Sequence, residues 1–237
     1  MVRKMKKIQL NSELIYVAAN VILAFAVALL SSVDFGLSMI VSPAYILSQK
    51  LGVLSFGQCE YVIQFLLFLI LCLVMKRFHF TYLCAFFTGV FYGTILDIFR
   101  KIIPFFNESI TPPGSYALWL RIVFFICGEI LTAFSIALFF ESYIPPQVYD
   151  FFVKTVSKRF HKDQTKCKRI FDFSFLVLSI VMTLVFFRKF VGIKWGTVII
   201  TLVNGVLIGW FFKQFDKRFE FVPKFKKFSD KIEKDCA

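Results

Sequence analysis

Six stretches of this sequence, Leu14–Leu30, Gly57–Met75, Phe80–Ile98, Ala117–Phe140, Phe171–Phe187 and Trp195–Phe212, are long, apolar and nearly free of charge. About 20 such residues in a helix cross the hydrocarbon core of a bilayer. Lipid offers no partner to a backbone N–H or C=O group, so a crossing segment must satisfy its own, as a helix does. The composition agrees: 58% of the 237 residues are apolar, 34 are Phe and only 18% are charged, whereas soluble domains carry about 25% charged residues. A water-soluble globule is excluded. The expected fold is all-α, a polytopic membrane protein with six transmembrane helices.

The net charge of +13 then reads as topology rather than as a footprint for nucleic acid. With the N-terminus inside, 21 of the 28 Lys and Arg fall on the cytoplasmic side, in Arg3–Lys7, Lys76-Arg77, Lys154–Arg169 and everything from Lys213 onward. Both termini are therefore expected in the cytoplasm of a cell with an inner (plasma) membrane, where the basic face meets anionic inner-leaflet lipid. The first stretch follows a basic segment, as a signal peptide does. Its apolar run is long, however, and Ser31-Ser32-Val33-Asp34 is a poor cleavage site, so it reads as a retained helix. Trp119, Trp195 and Tyr116 suit the outer aromatic belt and Trp210 the inner one.

Two shorter proline-bearing segments, Leu37–Gln49 and Pro145–Phe160, cannot cross alone. Each is either re-entrant or interfacial. The first reads better as re-entrant, and the second as interfacial because Lys154, Lys158 and Arg159 alternate with Phe151, Phe152 and Val156. Each half of the chain thus has the same plan: long helix, short segment, long helix, basic link, long helix. The last helices of the halves also share a string, Thr88-Gly89-Val90-Phe91-Tyr92-Gly93 against Asn204-Gly205-Val206-Leu207-Ile208-Gly209, offset by 116 residues. Three crossings per half would place the copies in opposite orientations, the inverted-repeat plan of many secondary transporters. The expected units are a first three-helix repeat (1–102), an extracytoplasmic loop (103–116), a second three-helix repeat (117–213) and a basic amphipathic cytoplasmic tail (214–237), which contains seven basic and five acidic residues among regularly spaced Phe.

Ionisable groups at mid-membrane cost about 2.5–3.5 kcal/mol on insertion scales and invite a functional reading. Glu129, in the middle of the fourth stretch, suits a proton or cation site, a partner for a substrate ammonium group, or a protonated carboxyl bonded to a neighbouring helix. Asp97 is expected to pair with Arg100 or Lys101 one turn later. Glu60 and Gln64, one turn apart, are expected to form an outer vestibule with Asp34, Ser38 and Ser42, although Ser and Asp there also suit helix caps. Thr88 and Asn204, with Tyr92 and Thr201 on nearby turns, would meet at the midplane as a polar substrate site, or else form plain interhelical hydrogen bonds.

No HExxH, GxSxG, GxGxxG or GxxxxGK[ST] motif is present, and His79 and His161 lie in basic links. The six cysteines form no CxxC pair or Cys/His cluster. No enzymatic activity, metal or cofactor is expected. Asn107-Glu108-Ser109 matches a glycosylation sequon.

The strings Asp34-Phe35-Gly36-Leu37-Ser38, Ser42-Pro43 and Leu54-Ser55-Phe56-Gly57-Gln58, together with Gly93-Thr94 and Gly196-Thr197, resemble the bacterial YczE/YitT-like family of small multi-pass membrane proteins. The likeness spans most of the region from Val33 to Gly209. Gly192-Ile193-Lys194-Trp195-Gly196-Thr197 departs from it by stretching the G-x-G-T form expected before the last helix. The resemblance implies a membrane location and this architecture, with transport suspected. The sequence therefore leads to a secondary transporter or facilitator of a small solute, with room for a homodimer. The alternative is a non-transporting scaffold or accessory subunit whose tail recruits a cytoplasmic partner.

Overall fold

The computed structural model describes residues 7–236, and each of the six apolar stretches is a single helix. In chain order the elements are β1 (Ile8–Asn11), α1 (Ser12–Val33), α2 (Ser42–Leu51), α3 (Phe56–Met75), α4 (Phe80–Ile102), α5 (Leu118–Glu141), α6 (Val148–Arg159), α7 (Gln164–Phe187), α8 (Trp195–Arg218), β2 (Phe219–Val222) and α9 (Lys226–Cys236). The six long helices have 20 to 24 residues, and many of their large apolar side chains, such as Leu66, Val185 and Leu202, point away from the bundle. That is the arrangement lipid demands: small and polar groups inward, bulky apolar groups outward.

Ends are fixed locally. Ser55 and Gln58 form a capping box on α3, with Gln58 N donating to Ser55 Oγ at 3.1 Å and Ser55 N to Gln58 Oε1 at 3.0 Å. Asp163 caps α7 by accepting from Lys166 N at 2.8 Å, which starts that helix ahead of its apolar stretch. Asp97 departs from the expected pairing with its own helix. It accepts from Gly57 N at 2.8 Å and from Ser55 Oγ, while Arg100 pairs with Glu108. The first turn of α3 has free N–H groups that a carboxylate from α4 satisfies better than a solvated i+3 partner would.

At the centre α1 packs along α5, where Ala24, Ala26, Ala28, Ala133 and Ala137 are fully buried and let the backbones approach. Around this pair α4 packs on α1, α8 on α5, and α3 on α4. The helices α7 and α8, although consecutive, make at most marginal contact. Instead α7 packs on α2 and α6, and α8 on α5.

The two short helices fill the space between the long ones: α2 packs on α3 and α7, and α6 on α3, α4 and α7. The expectation that Pro145–Phe160 is interfacial needs correction. Val148 is fully buried, and Tyr149, Phe151 and Val153 are nearly so. Gln147 and Tyr149 reach Gln64 and Glu60, well inside α3. The chain thus enters the bundle after α5 and returns as α6. Its basic residues Lys154, Lys158 and Arg159 occupy the outward part of the helix and are exposed, so their alternation with Phe reflects a buried helix emerging from the bundle.

The tail also differs from a free amphipathic helix. The termini share one face, because β1 and β2 pair in parallel, Ile8 opposite Phe219 through Asn11 opposite Val222. Glu13 accepts from Lys224 N, Phe225 N and the Tyr143 hydroxyl at 2.8–2.9 Å. Burial and that carboxylate together push the Tyr143 phenol above its ordinary value. Beyond β2, α9 returns under α4: Phe228 meets Phe80 and Tyr143, and Lys231 Nζ lies 4.3 Å over the Phe80 ring.

Candidate functional site

A cavity of about 270 Å³ lies where α1, α5 and α8 face the entrances to α2 and α6 and the first turns of α7. Its walls follow helical periodicity. Leu23, Val27 and Leu30 come from α1; Glu129, Thr132, Ile136 and Phe139 from α5; Ile200, Thr201, Asn204, Gly205 and Ile208 from α8. Each set recurs every three or four residues, so each helix presents one stripe. Ser38–Val41, Pro146, Gln147 and Tyr149 contribute from the short segments, and Tyr92 from α4.

Within this largely apolar lining, several polar groups are buried without a hydrogen-bonding partner. Glu129 is 4% exposed and neither carboxylate oxygen has a partner. The Tyr92 hydroxyl, Gln147 Nε2 and Asn204 Oδ1 are also unpartnered. Lys168 lines the same space but is engaged, at 2.7 Å from Asp150 and 3.1 Å from Asp172. Phe139, Phe140, Pro146, Asp150 and Lys168 also wall a second cavity of about 250 Å³, which extends past Tyr143, Lys154 and Gln164 to Ile232 on the face carrying the termini. The pair of cavities leads from the centre of the bundle towards that face.

The opposite face is closed. Lys194 Nζ donates to Asp34 Oδ2 at 2.6 Å, and Arg121 donates to Val33 O at 2.8 Å while lying 4.4 Å over the Phe35 ring. Phe35 also packs on Phe125 and Trp195. Between α3 and α4 the backbones nearly touch, with Gly57 against Gly93 and Gly89 against the Gln64 side chain.

The structure divides the expected site residues into two groups. Glu129, Tyr92, Thr201, Asn204 and Ser38 share the cavity. Thr201 Oγ1 donates to Thr197 O at 2.7 Å, so its acceptor lone pairs remain available. The outer vestibule does not form. Glu60 and Gln64 are fully buried, with Tyr149 Oη donating to Glu60 Oε2 at 2.9 Å and Gln64 Nε2 lying 3.3 Å from Gln147 Oε1. Asp34 is taken by Lys194, and Ser42 Oγ donates to Ser38 O at 2.9 Å. Thr88 does not meet Asn204. Its hydroxyl donates to Cys84 O or Pro145 O, each at 3.0 Å, and accepts from Tyr16 Oη at 2.9 Å.

Gln147, Tyr149, Asp150, Lys168 and Asp172 do not stand out in the sequence. Lys168 falls in a basic link, and Gln147, Tyr149 and Asp150 in a segment whose alternation of basic and Phe residues resembles an interfacial helix. The Pro145-Pro146-Gln147 string was the available signal: two prolines that cannot donate, followed by an amide, suit a helix start inside a bundle.

None of the curated proteins and none of the solved structures matches this chain. The profile of DUF6198, a family of unknown function, matches residues 10–213, from the end of β1 to the last turns of α8 and thus all six long helices and the cavity. The chain belongs to the DUF6198 family.

Proposed function

We propose that the chain is a secondary transporter or facilitator of a small solute, working by alternating access around this cavity. The observation that carries the proposal is Glu129: a buried carboxylate with no partner, in a cavity that continues towards one face and is shut off from the other. The Lys and Arg distribution would make the open side cytoplasmic in an inner membrane. The resemblance to YczE/YitT-like proteins fits the same reading.

An inverted repeat, residues 1–102 against 117–213, accounts for the packing. Exchanging α1 with α5, α2 with α6, α3 with α7 and α4 with α8 turns the α1–α4 contact into α5–α8, α2–α3 into α6–α7, and α2–α7 into α3–α6. All of these contacts are present. Two contacts lack such a counterpart: α3–α4, because α7–α8 is at most marginal, and α4–α6, because α2–α8 is at most marginal too. The glycines follow suit: an added Cβ at Gly89 or Gly93 would collide with α3, whereas Gly205 and Gly209 have nothing within 4 Å. Thr88 is likewise sealed against Pro145, while Asn204 lines the cavity with its buried Oδ1 unpartnered. Two copies of one unit in different states are what a carrier held in one of its two conformations displays. In the other state α7 would close on Gly205 and Gly209 as α3 and α4 part.

The scaffold reading has less behind it, since the tail's Phe228 already packs on Phe80 and Tyr143 of the same chain. We assign no enzymatic activity. The test is Thr201→Cys in a variant lacking the native cysteines, probed with a membrane-impermeant maleimide. Alternating access predicts fast labelling from the face carrying the termini and slower labelling from the other. A reagent that enters from one side only, at every temperature and ligand condition, would refute the proposal.

A further inference from the structure

We infer that the cavity takes an amphiphilic organic cation, with an ammonium-type group held against Glu129 and an apolar body held by the surrounding walls. This rests on the transport reading only in using the same cavity, so binding and flux are separable.

Charge is the first argument. The cavity is lined by three carboxylates, Glu129, Asp150 and Asp172, and one cation, Lys168. Lys168 is bound to both aspartates, which leaves that cluster negative and Glu129 wholly unbalanced. The helices packed on α5 offer nothing: α1 has no charged residue between Glu13 and Asp34, and α8 none between Lys194 and Lys213. A buried carboxylate either takes up a proton or persists against a counter-charge. A ligand held by ionised Glu129 is therefore positive. The start of α6 does not reverse this, because Asp150 already lies in its first turn, where a carboxylate offsets the helix dipole.

The walls decide which kind of cation. Hard metal ions require six or more oxygen ligands, or a tight cluster, and among the described residues no group of three or more His, Cys, Asp or Glu could hold one. Leu23, Val27, Leu30, Ile136 and Ile200 instead offer hydrocarbon, with the Tyr92 and Tyr149 side chains beside them. Apolar and aromatic walls around one carboxylate suit a weakly hydrated alkylammonium, which gains from ring faces as well as from the counter-charge.

The test uses the full chain in lipid nanodiscs and three probes that share a benzyl group: benzyltrimethylammonium, its neutral carbon isostere neopentylbenzene, and the anion phenylacetate. Titration calorimetry should show the cation binding at least about tenfold more tightly than the isostere, a difference of about 1.4 kcal/mol, with phenylacetate not binding. Glu129→Gln should remove that preference while leaving the isostere unchanged. Should that variant fail to fold, Asn204→Asp, which adds a second carboxylate to the same wall, should tighten cation binding. Equal binding of cation and isostere, preference for phenylacetate, insensitivity to both substitutions, or protons as the only ligand of Glu129 would each overturn the inference. Uptake of the cation into proteoliposomes is read separately: binding without flux rejects the carrier and leaves the ligand class standing.

Discussion

The matched glycines of α4 and α8 offer a direct measurement of whether the α8 face is uncovered. In Gly93→Ala the new methyl would lie 2.6 Å from Tyr61 Cε1 and 2.9 Å from the Gly57 carbonyl oxygen. The ring can rotate, but the carbonyl belongs to the backbone of α3 and yields only if the two helices separate. Overpacking of this kind costs about 1–3 kcal/mol. In Gly209→Ala the methyl meets nothing within 4 Å, so that cost vanishes. Both substitutions share the gain of about 0.5–1 kcal/mol from replacing a helical glycine by alanine. The shared gain cancels in the comparison, and the difference between the variants, about 1–3 kcal/mol, isolates the helix–helix contact. Denaturant titration of the purified protein in detergent micelles, followed by loss of helical circular dichroism, measures both. Gly209→Ala should match or exceed the parent, and Gly93→Ala should fall below it. If Gly209→Ala lost as much as Gly93→Ala, α8 would be covered in the resting protein, and the asymmetry between the halves would be withdrawn.

Lys168→Met leaves Asp150 and Asp172 facing each other without their cation, and should cost about 3–5 kcal/mol in the same titration; adding Asp172→Asn should restore part of it. Tyr149→Phe removes the hydroxyl donor to the buried Glu60 carboxylate and should cost about 1.5–3 kcal/mol, whereas Tyr61→Phe, at a more exposed hydroxyl pair with Thr94, should cost less. Asp97→Ala should lower stability by about 0.5–2 kcal/mol through the uncapped α3, and hydrogen exchange should locate the loss at Gly57 rather than at Arg100.

The long helices were legible because a bilayer leaves one solution for an apolar run of that length, and the periodic stripes of α5 and α8 follow from it. Glu129 was legible for the same reason: a lone carboxylate among Cys127, Gly128, Ile130 and Leu131 has no local explanation. Contacts across the chain were not. Glu60 and Gln64 are polar at helical spacing, which is equally true of a vestibule and of a buried network, and only the arrival of Gln147 and Tyr149 some 80 residues later decides between them. Asp97 misled for a similar reason. Its sequence neighbours Arg100 and Lys101 were visible, whereas the free N–H groups of α3 that claim it were not.

The contrast between Thr88 and Asn204 bears most on function. Had both been sealed, the polar residues of the halves would need no explanation beyond holding helices together. Had both been open, the bundle would have a pore rather than a site. One of each, at matching positions of a shared motif, requires that similar local sequence plans meet different surroundings, and the surroundings differ in two contacts: α4 packs on α3 and α6, whereas α8 meets α7 and α2 at most marginally. In the proposed carrier, closing α8 against α7 and α2 as α4 parts from α3 and α6 would exchange the roles of Thr88 and Asn204 and carry Glu129 from one face to the other. Each half would then trade one set of glycine contacts for its counterpart, so the two states need differ by only a few kcal/mol, the range in which a ligand bound to Glu129 can choose between them.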